Sequence, residues 1–384
     1  MPPIGIQRLR ERGDIFAIIR EISPLLPGGN PADVERLLTG LNEASLAIWR
    51  DHLLTPWLFR EVARHGWERH LASALWGELR ADYTLALQAA MQQENEALGV
   101  IQNLMEAGVE IILIKGADLR HRLYGDPAVR PMADIDLLIP PGQLNPAEIA
   151  LARLGYALSP NCHNPRPGFR ERFRKELHFQ PPSGLSLVVD VHWRIANVDD
   201  FYGLPYEGIR SRVVPQKFHG ITVKVPSPEH TLILLLLHAL DEFHGAMQII
   251  DLTLVSSLLP IDWSFFLEEV ARFRCQAPIF LALEELAGVT NSRAIPPAVF
   301  NQLADYRPSW AERVVLHRHW GYITRHFSTL YHHRRLNDWV YYLAALVWPQ
   351  PEYLVAIYGR SDRALFFRQS LATLCSSDRD WNPH

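Results

Sequence analysis

Two aspartates separated by a single residue, Asp134 and Asp136, lie in an otherwise apolar run that continues to Ile139. Side chains two positions apart in a β-strand point to the same face, so the two carboxylates would lie side by side. They would repel each other, and burial would raise the cost. A divalent cation removes both problems, and Mg²⁺ favours carboxylate oxygens while leaving room for phosphate oxygens.

A third aspartate, Asp190, lies in a second apolar run at residues 187–193. On adjacent strands, three aspartates would form a two-metal site, which can align a nucleophile with a phosphorus atom and stabilise the leaving group. An isolated Asp-x-Asp is more typical of a solvent-facing strand or a turn without a metal. The apolar flanks and the third aspartate favour the metal site here.

A Lys-Gly step, Lys115-Gly116, follows the β-branched run 111–114 and precedes a stretch with helical character. A glycine at a strand-to-helix turn lets a phosphate approach backbone N–H groups, and Lys115 would add a positive charge beside it. An ordinary turn with an exposed lysine is the alternative. Arg130 lies between this step and the aspartates, where it would hold an aspartate for the metal, contact a phosphate, or form a purely structural Arg–Asp pair.

The order of the predicted elements is helical, then mixed α/β, then helical. Helical spacing and capping signals, such as Asn30-Pro31 and Ser227-Pro228, mark the two outer regions. The predicted regions are 1–108, 109–225 and 226–384. Short β-branched and apolar runs in the middle region predict a helix at 145–154 and strands at 111–114, 135–139, 177–180, 187–193 and 221–225.

The composition indicates a folded protein without a strongly charged surface. The chain has 384 residues, 48% of them hydrophobic, and a formal net charge of −4. These values predict a large core and disfavour bulk nucleic-acid binding. The sequence predicts a cytoplasmic protein with no membrane partner. Its three cysteines are widely spaced, its N-terminus has no apolar leader, and its apolar runs are too short to span a bilayer.

Taken together, the central motifs resemble those of the uncharacterised bacterial nucleotidyltransferase family NTP_transf_5, within the DNA polymerase β-like nucleotidyltransferase superfamily. The helices on either side also look similar, so the resemblance covers most of the chain. The residues that carry it are Lys115-Gly-Ala-Asp-Leu119, Tyr124, Asp126-Pro127, Arg130-Pro131, Asp134-Ile-Asp-Leu-Leu138 and Asp190-Val-His-Trp193.

This resemblance implies an α+β fold, with a small mixed-sheet nucleotidyltransferase core between N-terminal and C-terminal helical regions. It implies Mg²⁺-dependent transfer of a nucleoside monophosphate from an NTP, with ATP expected, and release of pyrophosphate. The acceptor would be a hydroxyl or phosphate of a small molecule, peptide or protein, and Mn²⁺ is expected to substitute for Mg²⁺.

The resemblance also assigns roles to individual residues. Gly116 takes the place of the motif glycine, Asp134 and Asp136 the metal pair, and Asp190 the third carboxylate. The superfamily usually places a serine beside the glycine to hold the triphosphate, whereas Gly116 lies between a lysine and an alanine here. Lys115 is expected to substitute through its charge, and Arg130 to support nucleotide binding.

Histidines raise further possibilities. His192, on the same strand face as Asp190, and His238, on the predicted helix after Ser227, are candidates for the acceptor side of the site. An alternative function is a histidine-based metal phosphohydrolase that uses His192, His238 and His244. A second alternative is a catalytically silent nucleotide-binding module.

Overall fold

Seven strands form one mixed sheet in the middle of the chain, and helices occupy the sequence on both sides of it. The computed structural model describes residues 13–27, 29–195, 202–241, 245–290, 294–317, 335–363 and 366. The strands are β1 (Ile112–Ile114), β2 (Asp134–Leu138), β3 (Ala157–Leu158), β4 (Glu176–Gln180), β5 (Val188–His192), β6 (Val213–Phe218) and β7 (Ile221–Pro226). This arrangement confirms the predicted α+β fold class.

Helices on the N-terminal side of β1 include one of unusual length, which runs for 34 residues from Ser73 to Glu106. The predicted helix start at Asn30 is confirmed, because the Asn30 side chain accepts a hydrogen bond from the backbone of Ala32. These helices are α1 (Gly13–Ile22), α2 (Pro31–Gly40), α3 (Glu43–Asp51), α4 (Thr55–His65) and α5 (Ser73–Glu106).

Short helices connect the strands, and longer helices follow the sheet. The connecting helices are α6 (Lys115–Leu119), α7 (Leu144–Arg153), α8 (Phe169–Phe173) and α9 (Tyr206–Arg210). The later helices are α10 (Pro228–Asp241), α11 (Ala246–Leu258), α12 (Trp263–Arg272), α13 (Gln276–Thr290), α14 (Pro297–Ala304), α15 (Trp310–His317), α16 (Leu336–Val347) and α17 (Pro351–Tyr358). Within the described part of the chain, none of these helices is long and apolar enough to cross a membrane.

The strands are ordered β3-β4-β5-β2-β1-β7-β6 across the sheet. The β2–β5 and β1–β7 pairs are parallel, and the other neighbouring pairs are antiparallel. The two strands that carry the predicted aspartates are therefore direct neighbours at the centre of the sheet. Their register pairs Asp136 with Asp190.

Alternation along the strands gives the sheet two different faces. One face is apolar, with buried side chains such as Ile135, Leu137, Val189 and Val191, and it packs against helices α5 and α7. The other face carries the aspartates, together with apolar side chains of β1 that belong to a second core. Because the side-chain period is two, a shift of one residue in β2 would bury the acids in the apolar core. The apolar packing thereby fixes which way the acids point.

The second core joins the helices of both sides of the sequence. It contains buried side chains from α1 to α5, from β1 and from α10 to α14. Helix α10 packs against β7 and against α6, which follows the Lys-Gly step. The division into regions 1–108, 109–225 and 226–384 stays a prediction.

Two strands were not predicted from the sequence, β3 and β6. Strand β3 has only two residues, which is too short for a recognisable pattern. Strand β6 contains Pro215, which argues against a central strand. The proline is tolerated because β6 lies at the edge of the sheet and pairs only with β7.

A buried ion pair connects the predicted motif region to the C-terminal helices. Arg130 donates a hydrogen bond to Asp251 of α11 at 2.9 Å, and the hydroxyl of Tyr124 donates to the same carboxylate at 2.7 Å. The Asp251 side chain is 1% exposed and that of Arg130 is 15% exposed. The buried Asp251 carboxylate therefore accepts hydrogen bonds from both of these donors.

We predict that Asp251→Ala lowers the free energy of unfolding by about 3–5 kcal/mol, because it leaves the Arg130 guanidinium as an unpaired buried charge. Urea unfolding of the purified chain measures this change. A matched control is Asp33→Ala, which breaks a 3.0 Å pair with Arg36 whose side chains are 81% and 40% exposed. That control should cost about 1 kcal/mol or less. Equal losses in the two variants would contradict the buried role of Asp251.

Candidate active site

Side chains from four neighbouring strands meet in rows on the polar face of the sheet. One row consists of Ile114, Asp136, Asp190 and His178, from β1, β2, β5 and β4. The adjacent row consists of Ile112, Leu138, His192 and Glu176. Asp134 lies at the start of β2, two residues before Asp136 and on the same face. The structure thus places the three predicted aspartates on one face of two neighbouring strands.

Two cationic side chains hold one oxygen of Asp136. Lys115 Nζ lies 2.6 Å from Asp136 Oδ1, and His192 Nε2 lies 2.8 Å from the same oxygen. Burial raises the pKa of Asp136, but the charge of Lys115 and the hydrogen bond from His192 outweigh burial and hold that pKa far below its ordinary value. Asp136 is therefore ionised, and its second oxygen accepts no hydrogen bond from the described residues.

His192 bridges two carboxylates. Its Nδ1 lies 2.9 Å from Glu176 Oε2 as an ion pair without hydrogen-bond geometry, and its Nε2 faces Asp136. Burial lowers the pKa of His192, but the charge of Glu176 and the hydrogen bond to Asp136 raise it to about 9. The imidazole is consequently a cation at neutral pH and cannot act as a general base there.

Lys115 stands at a strained position directly after β1. Its φ is 52°, in the left-handed region that lysine rarely adopts. Burial lowers the pKa of Lys115, and the charges of Asp136 and Glu176 raise it further than burial lowers it, so the ammonium persists. The left-handed backbone of Lys115 thus lies where the ammonium group is directed at Asp136.

Gly116 is required for a reason that the sequence did not show. A Cβ at this position would overlap the guanidinium of Arg130, which is held in place by Asp251 and by the carbonyl of Pro131. The glycine therefore allows Arg130 to lie against the backbone after Lys115. Arg130 pairs with Asp251 and does not hydrogen-bond to Asp134, Asp136 or Asp190. Roles for Gly116 and Arg130 in nucleotide binding stay predictions.

Asp190 is oriented by a histidine from the next strand. His178 Nδ1 lies 2.7 Å from Asp190 Oδ1, and this hydrogen bond raises the pKa of His178. The second carboxylate oxygen accepts no hydrogen bond from the described part of the chain. The His178 side chain is 36% exposed, so Asp190 lies on the more open side of the site.

Asp134 differs from the other two aspartates because no side chain compensates its charge at hydrogen-bonding distance among the described residues. Burial raises its pKa to about 6, and the charges of Asp136 and Asp190 add to that effect. A carboxylate that is largely buried, unpartnered and close to two others is the donor set that a divalent cation stabilises. The residues present therefore fit Mg²⁺.

The three carboxylates do not form a closed cage in this structure. Among the described residues, the group of three whose ligand atoms all lie within 4.8 Å of one another is Glu94, His121 and His219, away from the aspartates. Lys115 and His192 both contact Oδ1 of Asp136, which leaves its other oxygen for an ion. The assignment of Asp134, Asp136 and Asp190 as metal ligands stays a prediction.

A small cavity brings both candidate acceptor-side histidines together with Lys115. Its volume is about 20 Å³, and its lining includes Lys115, His192 and His238. That volume is enough for a water-sized group. His244, the third histidine of the alternative phosphohydrolase, lies outside the described residues.

Sequence reasoning missed two residues of the polar face, Glu176 and His178. Both belong to β4, whose sequence Glu-Leu-His-Phe-Gln alternates polar and apolar side chains. That alternation predicts a strand with one polar face, and could have placed both side chains beside Asp190. The contact of Asp251 was harder to predict from the sequence, because its partner Arg130 lies 121 residues earlier in the chain.

We predict that Asp134→Asn stabilises the chelator-treated protein above pH 6. The folded pKa of Asp134 is about 6 against an ordinary value of 3.8. The folded state therefore binds the proton more tightly, and the cost of ionising Asp134 grows between pH 3.8 and 6 and is complete above pH 6. The gain reaches up to about 3 kcal/mol, since one pKa unit corresponds to about 1.4 kcal/mol. Urea unfolding at pH 5 and pH 8 in EDTA measures it, and a variant less stable at pH 8 would contradict the charge cluster.

Comparison with known protein families identifies the family of this chain. One solved structure, the solution structure of the antibiotic-resistance factor ANT(2'')-Ia, is 17% identical to this chain. The match covers 51% of this chain and 97% of that chain, with a TM-score of 0.36. No curated protein matches. A family model described as an uncharacterised nucleotidyltransferase matches residues 42–288, a range that includes the Lys-Gly step and all three aspartates. The match covers more than half of the chain, so the chain belongs to the uncharacterised nucleotidyltransferase family NTP_transf_5.

Proposed function

We propose that this protein is a Mg²⁺-dependent nucleotidyltransferase. It would move a nucleoside monophosphate from an NTP, with ATP expected, to a hydroxyl or phosphate of a small molecule, peptide or protein, and release pyrophosphate. The observation that carries the proposal is the row of carboxylates on neighbouring strands, in which Asp136 pairs in register with Asp190 and Asp134 lies unpartnered beside them. Membership of the nucleotidyltransferase family supports the same reaction class.

The free carboxylate oxygens indicate where the cation would bind. Asp134 has no hydrogen-bond partner among the described residues, and Asp136 and Asp190 each have one oxygen that accepts no hydrogen bond from those residues. These three residues would hold Mg²⁺, and Mn²⁺ is expected to substitute. When bound, the ion would supply positive charge to phosphate oxygens and lower the pKa of a coordinated hydroxyl.

Fixed cations at the base of the site would attract and orient the triphosphate. Lys115 keeps its proton and its ammonium lies 2.6 Å from Asp136, and we expect its charge to substitute for the serine that the superfamily usually has beside the glycine. A lysine contributes a full charge to phosphate recognition where serine contributes one hydrogen bond. Arg130 lies against Gly116, and we expect it to support nucleotide binding by keeping the loop after Lys115 in place through its ion pair with Asp251.

We propose Asp190 as the general base for the acceptor. It belongs to β5, whereas the Asp134 and Asp136 pair belongs to β2, so it can approach the phosphorus from another side. His178 holds one of its oxygens, so the other would either bind the cation or accept the proton of an attacking hydroxyl, and the Asp190→Asn experiment below separates these two roles. His192 cannot take that proton at neutral pH, because it is already protonated. His192 and His238 are proposed to position the acceptor.

The geometry disfavours the phosphohydrolase alternative. A metal-binding imidazole needs a ring nitrogen directed at the ion, and both ring nitrogens of His192 already face carboxylates, those of Asp136 and Glu176. A silent nucleotide-binding module would bind an NTP without consuming it. The experiments below distinguish that module from a transferase.

We predict that Asp134→Asn and Asp136→Asn each lower NTP-dependent transfer at least about 100-fold, because loss of a ligand removes several kcal/mol of charge stabilisation. The assay incubates the protein with each labelled NTP and Mg²⁺ or Mn²⁺, alone and in a lysate, and follows pyrophosphate and labelled product. Asp51→Asn, at an exposed position of α3, is the matched control and should keep full activity. Full activity in both site variants would contradict the metal assignment.

We predict that Asp190→Asn retains Mg²⁺–NTP binding but loses transfer, because the amide cannot accept the proton of the acceptor. Nucleotide affinity from equilibrium binding and the transfer rate are compared in the same preparation. Parallel loss of affinity and transfer would instead make Asp190 a primary ligand of the nucleotide-bound metal. Unchanged transfer would remove Asp190 from the site.

A further inference from the structure

A second convergence of metal-binding side chains lies outside the aspartate site. His121 Nε2 and His219 Nε2 each lie 2.6 Å from Glu94 Oε2. The ligand atoms of these three residues lie within 4.8 Å of one another. The Glu94 side chain is 4% exposed, that of His121 21% and that of His219 40%. The cluster is therefore buried at the carboxylate and open to solvent at His219.

Three separate elements contribute one residue each. Glu94 belongs to the long helix α5, and His121 belongs to a π-helical turn, Arg120–Tyr124, that follows α6. Such wide turns within helices occur frequently at functional sites. His219 lies in the turn between β6 and β7.

The β6–β7 turn directs His219 at the carboxylate by an unusual backbone. His219 has φ 44° and Gly220 has φ 87°, so both central residues of the two-residue hairpin are left-handed, as a type I′ turn requires. Glycine adopts this conformation freely, but asparagine would be more usual than histidine before it. A histidine at this strained position brings an imidazole to Glu94, which a more favourable turn residue would not do.

A neighbouring arginine orients the carboxylate. Arg120 donates to Glu94 Oε1 at 2.9 Å and to the carbonyl of Arg130 at 2.9 Å, and its side chain is 1% exposed. Burial raises the pKa of Glu94, but hydrogen bonds from His121, Arg120 and His219 lower it to about 2. Arg120 thus occupies one carboxylate oxygen and leaves the other, ionised, between two imidazole nitrogens. Carboxylates that bind metals are commonly held in this way through their second oxygen.

We infer that Glu94, His121 and His219 bind one divalent transition-metal ion of the zinc type. Two imidazole nitrogens and one carboxylate oxygen are a ligand set for Zn²⁺, whereas Mg²⁺ favours oxygen ligands. With metal–ligand bonds of about 2.0–2.2 Å, tetrahedral coordination separates ligand atoms by about 3.3 Å. The two 2.6 Å contacts would therefore open by less than 1 Å, and the exposed His219 side leaves the fourth position to water.

The ion would connect the β6–β7 hairpin, the long helix α5 and the segment after the Lys-Gly step. Arg120 extends this connection to the Arg130 backbone. Glu94 and His219 are 125 positions apart in the sequence, so the ion would close a large loop of the chain. It would bind here whether or not the aspartate site transfers nucleotides.

Zn²⁺ titration of the chelator-treated full chain tests this inference. To remove competition from the aspartate site, the titration uses Asp134→Asn protein, which should bind one Zn²⁺ and show a higher unfolding temperature in its presence. Adding His219→Asn, which keeps a residue that tolerates the left-handed backbone, should weaken Zn²⁺ binding at least about 10-fold. Co²⁺ is a second probe, because its visible absorption reports imidazole coordination and should weaken in the same variant.

The matched control is His65→Asn in the same background. His65 is 41% exposed, close to the 40% of His219, and lies 3.9 Å from Glu61 without completing a group of three ligands among the described residues. It should bind Zn²⁺ as the parent protein does. The inference is overturned if the parent binds no Zn²⁺, or if His219→Asn and His65→Asn bind Zn²⁺ equally well. Circular dichroism of each variant confirms that a loss of binding is not a loss of fold.

Discussion

The contact on which the polar face depends is the one between Asp136 and its two cations. A carboxylate in the middle of a sheet is costly unless it is paired, and Lys115 and His192 supply that pairing at 2.6 Å and 2.8 Å from one oxygen. Lys115 extends from the end of β1, Asp136 from β2 and His192 from β5. One buried anion thereby couples the Lys-Gly step to the two strands that carry the aspartates.

The carboxylates of this face differ in how many cationic partners they have. Asp136 has two cationic partners, Asp190 has His178, and Glu176 has His192. Asp134 alone has none at hydrogen-bonding distance in the described part of the chain, and the other acids raise its pKa. A fully compensated face would have no affinity for a further cation. The face retains one uncompensated carboxylate beside two partly free ones, which is an electrostatic arrangement suited to a divalent ion.

The sequence predicted the central elements because their patterns are local. The apolar run around Asp134 and Asp136, and that around Asp190, gave β2 and β5 within one or two residues, and strand parity placed the acids on one face. Register could not be predicted, because it is set by packing on the opposite face and by neighbouring strands. The partners of Arg130 and Glu94 were also inaccessible. Asp251 lies more than a hundred residues from Arg130 in the chain, and His219 lies more than a hundred residues from Glu94. No local sequence pattern indicates contacts between residues so far apart.

Under the proposed function, the charge of Lys115 would link the binding of the metal to the binding of the nucleotide. Without a ligand, the Lys115 ammonium neutralises Asp136, and a cation that binds Asp136 competes for the same carboxylate. An ammonium displaced from a carboxylate in a partly buried site needs another anion, and a triphosphate beside Gly116 would provide one. Metal and nucleotide binding would therefore be coupled through Lys115. The metal would take Asp136 away from Lys115, and the triphosphate would give Lys115 another anion.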